Sequence, residues 1–262
     1  MDLQLNDQVA LVTAASKGLG KASAKALGGE GARLAICARS DLLDKAAAEI
    51  RGETGAEVLA IRADLTVPAD IERFVQTSLD YFGRIDILVA NAGGPPPGKF
   101  LDLAPEDWQE AINLTLMSVV RLCYAVIPTM VAQSSGSIVA IESISVKQPI
   151  DNLILSNSIR MAVIGMLKSM ANELGPQGVR VNSINPTFTW TERVAQLLEH
   201  RAAAKGTTIE QEATLVSASI PLGRMGDVEE FGRAVAFLAS PAVSFIHGHA
   251  LMFDGGAARS AL

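Results

Sequence analysis

The chain has 262 residues, 49% of them hydrophobic and 19% charged, with a formal net charge of −6 and a pI near 5.2. This composition excludes a disordered or coiled-coil chain, and an acidic balance with no Lys/Arg-rich run speaks against a nucleic-acid partner. The length suits one domain spanning residues 1–262, since single cores stop growing near roughly 250–300 residues.

The opening "MDLQLNDQVALV" lacks the basic-then-apolar pattern of a signal peptide, so a cytoplasmic location is expected. Short β-branched runs then alternate with helical patterns: "VALVT" from Val9, "RLAICA" from Arg33, "EVLAIRA" from Glu57 and "IDILVA" from Ile85. "SIVAI" from Ser137, "VRVNSI" from Val179 and "ALMF" from Ala250 complete the series. Strands this apolar along their whole length are buried on both faces, which predicts a doubly wound α/β fold with a mainly parallel seven-stranded sheet between helices. Pro68 and Pro105 open helices, and Asp227 with Glu230 forms a capping box. Residues 187–221, after the sixth strand, lack strand character and are expected to form a substrate lid. The two cysteines, Cys37 and Cys123, read as buried thiols of a reducing compartment. The uncharged stretch from Ala234 to Phe253 is broken by Ser240, Pro241 and Gly248, so it reads as a helix end, a turn and a strand, with no membrane partner.

"TAASKGLG", residues 13–20, follows the first strand and opens a helix whose free backbone N–H groups can hold a pyrophosphate, with Gly18 and Gly20 permitting close approach. The segment resembles the T-G-x-x-x-G-x-G motif of the short-chain dehydrogenase/reductase family. "NAG" at residues 91–93, Asp64 after the third strand, "VRVNSINP", "PLGRMGDVEEFGRAVAFLAS" and "FDGG" extend that resemblance over nearly the whole chain. It implies a Rossmann fold that binds a nicotinamide dinucleotide. The contacts would come from Thr13, Ala15, Ser16, Lys17, Gly18, Leu19 and Gly20 in the loop, and from Asp64, Leu65, Asn91, Ala92 and Gly93 beyond the third and fourth strands. Pro186, Thr187, Thr189 and Thr191 would follow beyond the sixth. Two departures stand out. Ala14 replaces the motif's first glycine, narrowing the backbone choices at the turn. The second strand ends in Ala38, Arg39 and Ser40, where an acidic residue would accept from a ribose 2′-hydroxyl. With Lys17, Arg39 offers positive charge to a 2′-phosphate, so NADP(H) is expected over NAD(H); the alternative is a pair of ordinary surface cations.

The resemblance also implies an active site of Asn, Ser and the Tyr and Lys of Y-x-x-x-K. Asn113 in "INLTL" and Ser143 in "IVAIESIS" match the first two. Ser156, thirteen residues after Ser143, stands at the Tyr position, and Arg160 at that of the Lys. A Tyr hydroxyl starts near pKa ~10 and a neighbouring ammonium can bring it toward the working pH; a serine hydroxyl is far too weak an acid. Arg160 can hold a ribose and stabilise negative charge, but with a pKa of about 12.5 or more it relays no proton. Of the two tyrosines, Tyr124 lies roughly 16 Å along the helix from Asn113, and Tyr81 leads into the fourth strand at the other end of the sheet. Lys147 and His200 could approach a substrate or be plain solvated side chains. His247 and His249 have no companion ligand, so no metal is expected. Pro95, Pro96, Pro97, Phe188 and Trp190 form either a substrate wall or packing.

The triple proline and S-x-x-x-R resemble a divergent 3-oxoacyl-carrier-protein-reductase-like subgroup. The expectation is an NADP(H)-dependent oxidoreductase reducing a carbonyl or activated double bond on a small-molecule or acyl-type substrate, with the proton from water or the substrate. The alternative is a catalytically silent dinucleotide-binding subunit. The resemblance further implies a homotetramer built on the helices at residues 105–130 and 156–174.

Overall fold

The expected strands pair side by side: β1 (Val9–Val12), β2 (Arg33–Ala38), β3 (Val58–Arg62), β4 (Ile87–Ala90), β5 (Gly136–Ile141), β6 (Val179–Pro186) and β7 (Ala250–Phe253). These come from a computed structural model, in which residues 1–260 are described. The sheet order is β3-β2-β1-β4-β5-β6-β7, and every pairing is parallel. The chain therefore winds outward from β1 in one direction and from β4 in the other. A crevice must open where those directions part, at the carboxyl ends of β1 and β4.

The crossovers are α1 (Gly18–Gly29), α2 (Leu43–Thr54), α3 (Pro68–Phe82), α4 (Pro105–Ala111), α5 (Ser118–Ala132), α6 (Ile154–Leu174), α7 (Glu192–Lys205), α8 (Ile209–Ala218) and α9 (Val228–Ala239). Alternation along β1 feeds both faces of the sheet. Val9 and Leu11 pack with Phe74 of α3, Leu122 of α5 and Val163 of α6, while Ala10 and Val12 pack with Leu27 of α1, Ile50 of α2 and Phe231 of α9. Each such large side chain contributes about 1.5–3 kcal/mol on burial. Both proline starts are observed. The capping box is only half formed: Asp227 accepts from the N–H of Glu229 and Glu230, but Glu230 turns to Arg224 at 2.8 Å.

Between α4 and α5 the helix widens into a π turn, Ile112–Met117, a form often found at functional sites. The run Pro105–Ala132 is long and apolar enough to cross a membrane by length and composition. Here its Val119, Leu122, Val126 and Met130 enter the core, while Tyr124 is 79% exposed. The residue 187–221 excursion folds into α7 and α8 around a small core of its own, Leu198, Val216, Ile220 and Met225. Cys37 and Cys123 are buried, and burial pushes both thiols up to about 12. The stretch from Ala234 is the end of α9, a short turn and β7.

Candidate active site

A cleft of 590 Å³ occupies the predicted crevice. Its first wall is built on backbone. The Thr13 hydroxyl donates to the Asn91 carbonyl at 2.7 Å and accepts from the Asn91 N–H at 2.8 Å, tying the loop after β1 to the loop after β4. A Cβ on Gly20 would lie 2.4 Å from the Ala14 carbonyl oxygen and 2.7 Å from Asn91 Nδ2, so only glycine fits. Ala14 itself adopts φ 48°, the left-handed region. The α1 N-terminus has no side-chain cap and no acidic residue in its first turn, so its N–H groups and positive dipole end are free for phosphate. Ser16, Lys17, Gly18, Leu19, Arg39, Ser40, Asp64 and Leu65 line this wall, with Asn91, Ala92 and Gly93 beside them and Pro186, Thr187, Thr189 and Thr191 opposite. Thr13, Ala15 and Gly20 do not: they lie behind the wall and shape it, because their side chains or Cβ positions face packed backbone. Asp64 is held below the usual carboxylate range by hydrogen bonds from the Thr66 N–H and hydroxyl, and its carboxylate lies 3.9 Å from Arg39. Lys17 meets Glu192 of α7 at 3.2 Å, so the excursion after β6 touches the loop after β1.

The second wall is built on side chains. Where β5 ends, Glu142 and Ser143 enter the cleft, and α6 delivers Ser156 and Arg160 one turn apart, both buried. Ser143 Oγ accepts from the Ser145 N–H at 3.1 Å, which leaves its own proton available to a ligand. Ser156 Oγ lies 3.4 Å from Ser145 Oγ, beneath the surface that Ser143 presents. Arg160 Nη1 donates to Glu142 Oε2 at 3.0 Å and, less closely, to the Ile141 carbonyl at 3.4 Å. Burial pushes the Glu142 carboxyl up to about 7, against the pull of the Arg160 charge and hydrogen bond. Arg193 of α7 reaches over the same cleft, and a Cβ on Gly94 would meet its guanidinium at 3.1 Å. Burial and the positive Arg160 lower its pKa.

Comparisons with known proteins place this geometry. Residues 13–258 match the family described as enoyl-(acyl carrier protein) reductase. A 3-oxoacyl-[acyl-carrier-protein] reductase of Synechocystis sp. is 35% identical over 255 residues, covering 96% of this chain and 97% of that protein. The corresponding reductase of Vibrio cholerae is 34% identical, covering 97% of this chain and 98% of that protein. L-sorbose reductase from Gluconobacter frateurii, complexed with NADPH and L-sorbose, superposes with a TM-score of 0.96 at 30% identity, covering 99% of this chain and 100% of that one. The chain belongs to the short-chain dehydrogenase/reductase family.

As a member of that family it is an oxidoreductase, and the cradle of free N–H groups at α1 fits a nicotinamide dinucleotide. Membership does not settle which dinucleotide, because a xylitol dehydrogenase at 28% identity and TM-score 0.89 is NAD+-bound.

Several expected site residues lie elsewhere. Asn113 does not line the cleft: its Nδ2 donates to the Thr66 carbonyl at 3.2 Å and its Oδ1 accepts from Arg121 at 2.7 Å, so the side chain anchors the π turn to the loop after β3. Tyr124 is exposed, and Tyr81 donates to Glu57 at 3.0 Å on the outer surface. Lys147 and His200 are exposed and off the cleft. His247 joins β6 to α6, accepting from the Val181 N–H at 3.1 Å while its Nε2 meets the Ala171 carbonyl at 2.7 Å. Of the residues read as either substrate wall or packing, only Pro95 lines the cleft. Phe188 packs with the small core of the 187–221 excursion and stacks under Arg201, and Trp190 is half-exposed. Glu142 and Arg193 are lining residues that sequence reasoning missed. The signal for Glu142 was an acid following an apolar strand, immediately before Ser143.

Proposed function

We propose that this chain is an NADP(H)-dependent carbonyl reductase acting on a 3-oxoacyl-type or small ketone substrate, with Ser156 and Arg160 at the positions the family fills with Tyr and Lys. The observation that carries it is the Ser143 hydroxyl, whose proton is free, on the wall opposite an intact dinucleotide cradle. The names of the curated relatives support the substrate class, and the NADPH of the L-sorbose reductase complex supports the cofactor.

The first-wall N–H groups and Lys17 would hold phosphates, Asp64 the adenine, Arg39 the 2′-phosphate, and Arg160 the nicotinamide ribose. When bound, the nicotinamide dinucleotide supplies the hydride. Ser143 donates to the substrate carbonyl oxygen and so stabilises the negative charge that develops there. Ser156, turned to Ser145, contributes shape to the pocket floor. α7 and α8 serve as the lid, with Arg193 facing the substrate. The exposed faces of Pro105–Ala132 and α6, including Tyr124 and Met161, would be covered by twin subunits in a homotetramer. Light scattering at micromolar concentration should give a mass well above 27.5 kDa, and a mass at that value would refute the assembly.

The function is tested by mixing the protein with NADPH or NADH and a panel of ketones, 3-oxoacyl thioesters and enones, following cofactor absorbance. Turnover above background decay, faster with NADPH, is expected. Tight NADPH binding with no turnover on any substrate would instead leave a silent dinucleotide-binding subunit.

A further inference from the structure

With a serine, too weak an acid, at position 156 and no tyrosine lining the cleft among the described residues, the carbonyl oxygen still needs a proton. We propose that Glu142 supplies it, as the acid–base residue of this active site, with Arg160 as the group that sets its ionisation. The inference rests on the reductase reading above.

Four observations place the role on Glu142. It is adjacent in sequence to Ser143, the donor for the carbonyl oxygen, and both line the same cleft. Its backbone is fixed, because its N–H extends the sheet by donating to the Ile184 carbonyl at 2.9 Å. Oε2 is held by Arg160, whereas Oε1 accepts no hydrogen bond among the described residues, in a residue that lines the cleft. The side chain is only 2% exposed, which favours the protonated form of its carboxyl near neutral pH.

The charged group paired with it is Arg160 from α6, which favours the carboxylate; Arg193 from α7 lines the same cleft, and Lys17 and Glu192 pair with each other at the cleft mouth. Burial opposes Arg160 and prevails, so the group can change protonation within the working pH range, as an acid–base residue must.

The step balances. The carbonyl carbon accepts hydride with its electron pair, the C=O π pair moves to oxygen, and oxygen takes the proton from Glu142 Oε1. The resulting carboxylate is stabilised by Arg160 until solvent returns a proton. Oxidation runs through the same atoms in reverse, with Glu142 taking the alcohol proton. Arg160 serves as partner because a guanidinium stays charged in both states of the carboxyl.

The test has two arms. In the first, pH-difference infrared spectra of the full chain labelled with 13C-glutamate, without cofactor, should show a protonated-carboxyl band lost on raising the pH through about 7, absent in Glu142→Gln and shifted to higher pH in Arg160→Met. In the second, steady-state reduction with NADPH should fall above that pH in the parent. Glu142→Gln should be slower by about 100-fold or more at pH 6 with a flat profile, and Glu142→Asp should recover part of the rate. Because Gln leaves Arg160 buried without its partner, Glu142→Gln plus Arg160→Met serves as the charge-free control for folding and should be equally slow. A parent that is active while Glu142→Gln keeps its rate and pH profile overturns the proposal alone, as does a parent lacking the titrating band. Absence of turnover in the parent, with the band present, overturns the reductase reading and the catalytic role with it.

Discussion

Beside β1, Ala14 stands where the family motif has glycine, and the phosphate loop keeps its form by holding that alanine at φ 48°. Beyond β5, α6 brings Ser156 and Arg160 to the cleft, and Glu142 enters it to meet Arg160 at 3.0 Å. The first wall works through backbone N–H groups, so a methyl group costs conformational energy and leaves the donors in place. The second works through side-chain charge and proton affinity. A buried guanidinium there needs an anion, because leaving one charge of such a pair uncompensated costs several kcal/mol. Glu142 and Arg160 therefore change character as a unit, whereas Ala14 changes alone.

The sharpest way to break this comparison is to ask how the Glu142–Arg160 pair responds to pH. The carboxyl is raised to about 7 in the folded chain and has a pKa of about 4.3 when unfolded. Between those values the folded state keeps a proton that the unfolded state has lost. Stability from this group is therefore full below about pH 4.5 and declines as pH rises to about 7, by on the order of 3 kcal/mol. Denaturant titrations of the parent and Glu142→Gln should diverge in the parent's disfavour across that window. Parallel curves would mean that Arg160 holds Glu142 ionised throughout.

Next in size is Ser143→Ala. Losing the hydroxyl that donates to the developing oxyanion should lower kcat by about 100-fold, with KM little changed. The same change removes the hydrogen bond from the Ser145 N–H, costing about 1 kcal/mol of stability. A rate loss no larger than that of a neutral surface substitution would move the oxyanion site elsewhere along the cleft.

The contrast between the walls also explains what could be read from sequence. All seven strands, both proline helix starts and the phosphate loop were legible, because apolar periodicity and glycine or proline placement are local signals. That Ser156 and Arg160 reach the cleft together with Ser143 was legible as spacing, since thirteen residues separate Ser143 from Ser156. Their consequence was not. That Ser156 faces Ser145, and that Asn113 bonds to Thr66 and Arg121, depends on how α6 and the π turn seat against the sheet. Glu142 lies eighteen residues from its partner, a distance at which no helical or strand period pairs charges. Phe188 and Trp190 were read as either substrate wall or packing; Phe188 packs in the small core of the 187–221 excursion and Trp190 is half-exposed.

On the backbone wall, Arg39→Asp should shift preference from NADPH toward NADH by about tenfold, roughly 1.4 kcal/mol. Arg39 is 78% exposed on its side chain and lies 3.9 Å from Asp64, so its present ion pair contributes little and the change should leave stability nearly constant. Fluorescence titration with both cofactors measures the effect. Equal affinities that the substitution does not alter would show that Arg39 is a plain surface cation.

The smallest effect belongs to Ala14→Gly, and its sign is informative. An alanine held in the left-handed region costs about 1–2 kcal/mol relative to an unstrained one, which glycine would recover. Glycine also adds freedom to the unfolded chain, which opposes the gain by about 0.4–1 kcal/mol. The net expectation is a stabilisation of about 0.5–1 kcal/mol, or roughly 1–4 °C in Tm for a domain of this size. Because Asn91 Nδ2 already approaches the Ala14 carbonyl at 3.4 Å and Gly20 packs against it, the loop has no slack to move when the methyl group leaves. Cofactor affinity should therefore rise little, while Tm rises measurably. A Tm unchanged or lowered, with affinity increased several-fold, would mean that Ala14 distorts the phosphate-binding N–H groups themselves. The backbone wall would then be as sensitive to side-chain change as the wall that carries the chemistry.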